Sequence, residues 1–197
     1  MSTELEIEFK NLLTKEEFDR LLEEFNVKKD QFILQHNHYF DTALFQLKEE
    51  GCALRIREKA GRYELTLKQP VEEGLLETNQ HLTEEEAMQL LEKGIFPNGT
   101  VKETLSLLLD KQPNVQHFGT LSTHRAELSY EGGLLVLDCS SYFDCTDYEL
   151  EYEVKERKSG EKIFLALLET YEIPLRKTDN KIKRFFKEKI RQSSGDK

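Results

Sequence analysis

The sequence predicts an α+β fold: an eight-stranded antiparallel β-barrel with a charged interior and helices packed outside. Three observations carry that expectation. First, six short runs alternate apolar and charged residues: Glu6-Ile7-Glu8-Phe9-Lys10, Leu54-Arg55-Ile56-Arg57, Glu64-Leu65-Thr66-Leu67-Lys68, Leu75-Leu76-Glu77, His124-Arg125-Ala126-Glu127 and Glu149-Leu150-Glu151-Tyr152-Glu153. A period of two puts the charges of each run on one strand face and its apolar residues on the other. Second, turn signals join long strands directly, as hairpins do. Third, the helical segments between them open with capping boxes and carry one apolar stripe.

The elements follow in order. Leu5 to Leu12 reads as a first strand. Thr14 and Glu17 form a capping box, and a helix follows to Phe25 with Phe18, Leu21, Leu22 and Phe25 on its buried side. Strands are expected near 31–41, 52–59, 62–69 and 74–82, with Ala60-Gly61 as a hairpin turn. Thr83-Glu84-Glu85-Glu86 opens a helix through Glu92, its acidic first turn suiting the helix dipole. Pro97-Asn98-Gly99 breaks the chain before a helix over 101–111. Strands at 116–130, 133–140 and 143–156 follow, the first two joined at Glu131-Gly132-Gly133. Ser159-Gly160-Glu161 starts a helix to Tyr171. After Pro174, Thr178-Asp179-Asn180 begins a last helix using Ile182, Phe185 and Phe186. Residues 1–191 are expected to form one domain, and 192–197 a frayed tail.

Alternation alone leaves the polarity open. An ordinary sandwich would turn the charges to water. The barrel reading lines its interior with 6–10, 55–57, 64–68, 125–127 and 149–153, and sets Leu5, Ile7, Phe9, Leu54, Ile56, Leu65, Leu67, Leu150, Tyr152 and Val154 under the helices. The chemistry of the charged face favours the second arrangement.

The totals narrow the class. Apolar residues make up 38% and charged residues 34%, polar for a globular chain but with recurrent Phe, Leu, Ile and Tyr, which argues against disorder. A net charge of −10 argues against a nucleic-acid binder and against attraction to an anionic membrane, without excluding a basic pocket. Cys52, Cys139 and Cys145 fit no zinc spacing and read as small buried hydrophobes in a reducing compartment. The acidic N-terminal stretch lacks a signal-peptide pattern, and no apolar run approaches ~20 residues, so a cytoplasmic location is expected.

Glu6 and Glu8 stand two apart on a strand, with Cβ atoms ~7 Å apart on one face. Carboxylates so placed repel unless a cation lies between them, and hard oxygen donors suit Mg²⁺ or Mn²⁺. Glu149, Glu151 and Glu153 repeat the arrangement. Taken singly, each cluster is more often a solvated strand face. Lys10, Arg55, Arg57, Lys68 and Arg125 change that balance, because same-parity arginines and lysines bind phosphate oxygens bidentately or as point charges.

The Glu-x-Glu-x-Lys opening at Glu6, Glu8 and Lys10 resembles the signature of the CYTH superfamily, the triphosphate tunnel metalloenzymes. So do Asn37-His38-Tyr39-Phe40-Asp41-Thr42, Ala53-Leu54-Arg55-Ile56-Arg57, Leu65-Thr66-Leu67-Lys68 and the late Glu-x-Glu-x-Glu. The resemblance runs from about residue 4 to 187 and is nearest to the YjbK-type bacterial members. It implies a tunnel that binds triphosphate inside. Metal would be held by Glu6, Glu8, Glu151 and Glu153, with Glu149 as a third late ligand. Catalysis would rest on Glu6, Glu8, Lys10, Glu151 and Glu153. The phosphate-binding cations would be Lys10, Arg55, Arg57, Lys68, Arg125 and Lys181, with Arg184 sharing the role of Lys181. Glu77 and Asp138 fall where further inward acids are found. The chain departs from the family in having Asn180-Lys181 where Ser-Lys is frequent, and in a longer 94–118 segment that either closes a tunnel mouth or is an idle insertion.

The expected activity is therefore metal-dependent triphosphate hydrolysis, with tripolyphosphate preferred because nothing obvious reads a base. Nucleoside and thiamine triphosphates stay open. The rival readings are a class IV-type adenylyl cyclase and a non-catalytic polyphosphate or nucleotide sensor. The expected partner is the small triphosphate alone, in a monomer or homodimer. His38 is expected to pack rather than catalyse, Asp41 either to orient an arginine or to cap a turn, and Lys183, Arg184, Lys187 and Lys189 to form a solvated helix face.

Overall fold

The computed structural model describes residues 2–72, 74–109 and 114–193. The strands are β1 (Ser2–Leu13), β2 (Ile33–Thr42), β3 (Ala53–Lys59), β4 (Arg62–Val71), β5 (Gly74–Leu82), β6 (Val115–Tyr130), β7 (Gly133–Tyr142) and β8 (Cys145–Val154). They close in the order β1-β5-β4-β3-β2-β6-β7-β8, and the pairings are antiparallel. The helices are α1 (Lys15–Glu24), α2 (Gln46–Glu49), α3 (Glu84–Lys93), α4 (Thr100–Leu108), α5 (Arg157–Thr170) and α6 (Lys181–Ser193).

Contacts divide the chain into two units, Met1–Glu6 with Gln35–Leu121, and Ile7–Leu34 with Ser122–Lys197. In the first, the apolar faces of β3 and β4 (Leu54, Ile56, Leu65, Leu67) pack with Ala87 and Leu90 of α3 and Val101 and Leu105 of α4. In the second, Leu135, Leu137, Leu150 and Tyr152 pack with Phe18 and Leu21 of α1 and Phe164, Leu167 and Leu168 of α5. β3, β4, β7 and β8 thus bury their apolar sides under helices, and their charged sides face inward. This is the inverted polarity that the barrel reading requires. Leu5, expected under the helices as well, is instead 50% exposed near the start of β1.

Local chemistry fixes the connections. Both expected capping boxes form, at Thr14 with Glu17 and at Thr83 with Glu86. Ala60-Gly61 and Glu131-Gly132 both have two successive positive φ values, the requirement of a two-residue type I′ hairpin turn. Gly160 on α5 lies so near β1 and β8 that a Cβ there would stand 2.5 Å from Val154 and 3.1 Å from Phe9.

Several boundaries differ from expectation. Residues Lys29–Gln31 form a 3₁₀ turn, so β2 starts at Ile33. β8 starts at Cys145, because Phe143 takes φ 50° in the preceding turn. α5 begins at Arg157, since the Glu156 carboxylate accepts from Lys158 N and Ser159 N and caps it ahead of the anticipated serine. The short α2 was not anticipated. α4 ends at Leu108, and positions 110 and 111 of the expected helix lie outside the described residues. Val101 and Leu105 give the 94–118 segment a part in the core. Gln192 and Ser193, expected in the tail, belong to α6, and 194–197 lie outside the described residues. Cys52 is buried as expected, but Cys139 and Cys145 are only half-buried. No described helix is long and apolar enough to cross a membrane.

Candidate active site

Cross-strand register assembles the charged face in each unit. In the first, Lys68 pairs with Glu77 across β4 and β5. Its ammonium lies 2.6 Å from Glu6 on β1 and also contacts the Glu77 carboxylate. Burial opposes ionisation of Glu77, but the Lys68 and Arg55 charges overcome it and bring the carboxyl down to about 2. Arg55 stands opposite Tyr39 on β2 and Thr66 on β4. Its Nε is buried without a hydrogen-bond partner. Arg57 donates from Nε to Asn37 Oδ1 at 3.4 Å. Beneath these long side chains, Thr66 donates to Asn79 at 2.7 Å.

The second unit is denser. Arg125 forks onto Asp138, Nε to Oδ1 at 2.8 Å and Nη2 to Oδ2 at 2.6 Å. The same Nη2 reaches Glu151 at 2.6 Å, and Glu153 lies 3.8 Å from Nη1. Lys181, from α6, stands 2.9 Å from Asp138 and 3.0 Å from Glu149, and also contacts Glu151. Asp138, Glu149 and Glu151 are at most 5% exposed. Burial pushes the Glu149 carboxyl up to about 7 against the charge of Lys181, with Glu151 adding to the rise. At Glu151 burial also opposes ionisation, but Lys181 and Arg125 outweigh it and hold that carboxyl well below the usual range. Of the pair, Glu149 keeps the proton. Lys181 resists burial through Asp138, Glu151 and Glu149, and its ammonium is held well above its usual range. On β1, Lys10 contacts Glu8, and burial is again outweighed by that carboxylate, which raises the ammonium.

Glu8 stands directly opposite Glu153, and Lys10 opposite Glu151. Like charges directly opposite on paired strands are destabilising. An all-oxygen donor set with two opposed carboxylates fits a hard divalent cation. As placed, the carboxylates are drawn to lysine and arginine, and among the described residues no group of three His, Cys, Asp or Glu is arranged to hold a metal ion.

A family model for the CYTH domain matches residues 4–186. This chain belongs to the CYTH domain family. It is 47% identical over 189 residues, 96% of this chain and 98% of the relative, to a Bacillus subtilis protein named "Putative triphosphatase YjbK". A crystal structure from Bacillus halodurans, named a "putative adenylate cyclase", matches with TM-score 0.91 and 48% identity over 94% of this chain and all of that one. HpAC1 from Hippeastrum, described with a dominant triphosphatase activity, shares the fold with TM-score 0.78 and 24% identity over 93% of this chain and 96% of its own.

Within the CYTH barrel, the expected residues sort unevenly. Glu6, Lys68, Glu77 and Arg55 gather on one unit, with Arg57 two residues beyond Arg55 on the same strand face. Glu8 and Lys10 lie together on β1. Arg125, Asp138, Glu149, Glu151, Glu153 and Lys181 form the second cluster. Arg184 does not lie on the solvated face: it reaches that cluster too, each nitrogen donating one hydrogen bond, to Asp147 at 2.8 Å, to Glu149 and to the Asp179 carbonyl. Asp41 caps a turn: its carboxylate accepts from the N–H groups of Thr42, Leu47 and Lys48 at 2.7, 2.9 and 3.0 Å. His38 bonds Thr120 at 2.8 Å, on the opposite strand face from Tyr39 and Arg55. Lys183 and Lys187 pair with Asp179 and are exposed, as a solvated face requires.

Sequence reasoning missed Asn37, Tyr142 and Asp147. Asn37 could have been found, since it shares the parity of Tyr39 within a motif already singled out. Tyr142 and Asp147 become visible only through the β7–β8 register.

Proposed function

We propose that this chain is a divalent-metal-dependent triphosphatase, with inorganic tripolyphosphate as its preferred substrate. The observation that carries the reading is the buried Arg55 Nε, an N–H without an acceptor set among Lys68, Glu6 and Glu77 on a face built of charges. A buried donor left unmade costs free energy, and a phosphate oxygen supplies the acceptor that it lacks. The relative named as a triphosphatase supports the same activity.

Arg55, Arg57 and Lys68 would hold non-bridging phosphate oxygens and neutralise their charge. Arg125 and Lys181 would do the same while keeping the β7–β8 carboxylates in place. Lys10, paired with Glu8, would orient that carboxylate or touch phosphate. Glu8, Glu151 and Glu153, with Glu149, would hold Mg²⁺ or Mn²⁺. Bound there, the cation supplies Lewis-acid polarisation and a water of lowered pKa. Water adds to the terminal phosphorus and the bridging P–O bond breaks, giving orthophosphate and pyrophosphate from tripolyphosphate. These cations also stabilise the bound triphosphate, so they raise the rate only where they stabilise the charge developing on the bridging oxygen more strongly.

A second reading is an adenylyl cyclase, favoured by the name given to the 48%-identical Bacillus halodurans structure. One experiment separates the two. Phosphate release from tripolyphosphate is measured with and without Mg²⁺ or Mn²⁺, beside product analysis with ATP. Metal-dependent release is expected. Cyclic AMP with pyrophosphate from ATP would replace the hydrolase with the cyclase. Binding without turnover under every metal would leave a sensor.

A further inference from the structure

Arg184 of α6 is held from three sides. Its Nε donates to Asp147 Oδ2 at 2.8 Å, and the same oxygen accepts the Tyr142 hydroxyl at 2.6 Å. Its other nitrogens go to Glu149 and to the Asp179 carbonyl. Next in sequence, Phe185 is 1% exposed, stacks on Phe143 with ring centroids 4.9 Å apart and lies 6.0 Å from Tyr142. Lys181 stands three residues earlier, on the same helix face as Arg184. A helix is free to roll about its axis unless a directional contact stops it. The planar guanidinium, gripped at Nε by a carboxylate that is itself held by a tyrosine, is such a contact.

We infer that Tyr142 and Asp147 are positioning residues that seat α6 through Arg184, and that this seat fixes Lys181 on Asp138, Glu149 and Glu151. Arg184 then serves as a clamp, each of its three guanidinium nitrogens already donating to a protein oxygen. Asp147 acts on the site at one remove. Its carboxylate turns Arg184, Arg184 holds the helix, and the helix aims Lys181. The consequence for substrate binding rests on the triphosphatase reading; the seat itself does not.

The test begins with labelling of the metal-free full chain by an amine-acetylating reagent, read lysine by lysine by mass spectrometry. In the parent protein Lys181, with a side chain 13% exposed, is expected to react far more slowly than Lys183 and Lys187, at 57% and 66%. Asp147→Asn should accelerate Lys181 roughly tenfold and leave Lys15 on α1 unchanged. Unaltered protection of Lys181 would overturn the inference whatever the protein's activity. Tyr142→Phe removes a single hydroxyl and should move Lys181 in the same direction by less, which covers the case in which Asp147→Asn fails to fold. Calorimetry with tripolyphosphate then asks whether the seat matters to the ligand. Asp147→Asn should weaken binding about five- to tenfold, and that loss should vanish in a Lys181→Met background, because coupled residues are not additive. An undiminished loss in that background would show that Asp147 does not act through Lys181. A parent protein that ignores tripolyphosphate would sink the functional reading, while the labelling result still decides the seat.

Discussion

The two units solve opposite electrostatic problems with the same strand pattern. Around Lys68, Arg55 and Lys68 stand against Glu6 and Glu77, and Arg57 faces Glu64 across β3 and β4. Around Lys181, carboxylates prevail: Asp138, Asp147, Glu149, Glu151 and Glu153 stand against Arg125, Lys181 and Arg184. The first arrangement is short of acceptors, as the orphaned Arg55 Nε shows. The second is short of positive charge, as the proton kept by Glu149 shows. One is prepared for an anion and the other for a cation. Burial differs in parallel. Asp138 is fully buried, whereas the Lys68, Glu6 and Glu77 side chains are 15–18% exposed.

The comparison is most exposed to attack through stability. Arg125→Ala leaves Asp138 and Glu151 buried without a guanidinium and should cost about 3–5 kcal/mol, the penalty of breaking a buried pair. Lys68→Ala leaves carboxylates that water can still reach and should cost about 1–2 kcal/mol. Equal losses in urea denaturation would break the contrast.

Binding gives the next largest effect. Arg57→Ala should weaken tripolyphosphate about tenfold, the loss of roughly one charge-assisted hydrogen bond, with metal activation unchanged. Glu8→Gln should do the reverse, raising the Mn²⁺ concentration needed for half-maximal activity more than the KM for tripolyphosphate. Negligible effects of both on turnover would remove the tunnel assignment.

Acidity sharpens the contrast, because the two units respond with opposite signs. The Glu77 carboxyl falls to about 2 in the folded chain, against ~4.3 for an unperturbed glutamate. Its stabilisation is therefore fully present above ~4.3 and is lost as pH falls through about 2. Glu149 rises to about 7, so the folded chain keeps a proton that the unfolded chain gives up. Its contribution is fullest below ~4.3 and declines as pH rises to about 7. Urea midpoints of the metal-free protein from acid to neutral pH should show Glu149→Gln flattening the neutral-side decline and Glu77→Gln flattening the acid-side loss. A Glu149→Gln profile parallel to the parent's would contradict the protonated carboxyl.

The smallest expected effect is a control. Thr14→Ala and Thr83→Ala each remove one capping box, one in each unit, and should each cost about 1 kcal/mol. That corresponds to a fall of roughly 2–4 °C in Tm, with no change in tripolyphosphate binding.

Strand parity was the legible part of this chain. Leu54 and Ile56 against Arg55 and Arg57 announce two faces before any partner is known, and the glycine-bearing turns announce which strands pair. What alternation could not settle was which face lies inside. That followed from the helices, since Ala87, Leu90, Val101 and Leu105 need apolar strand faces to cover. α2 was not legible because a four-residue helix has no periodicity, and it is held by Asp41 rather than by its own sequence. Asp147 was not legible because its meaning depends on a register with Ser140 and on an arginine 37 positions away. Arg184 was visible as a cation near Lys181, but sequence cannot report that Asp147, Glu149 and the Asp179 carbonyl already hold it.

Gly160 has a reach beyond the helix that contains it. α5 presses on the backs of Phe9 and Val154, the neighbours in sequence of Glu8, Lys10 and Glu153. The missing methyl group lets the helix come that close. Adding one carbon would have to move either the helix or the wall, and the wall carries opposed carboxylates on its other side. The spacing of those charges is thus regulated from behind, by an atom that is not there.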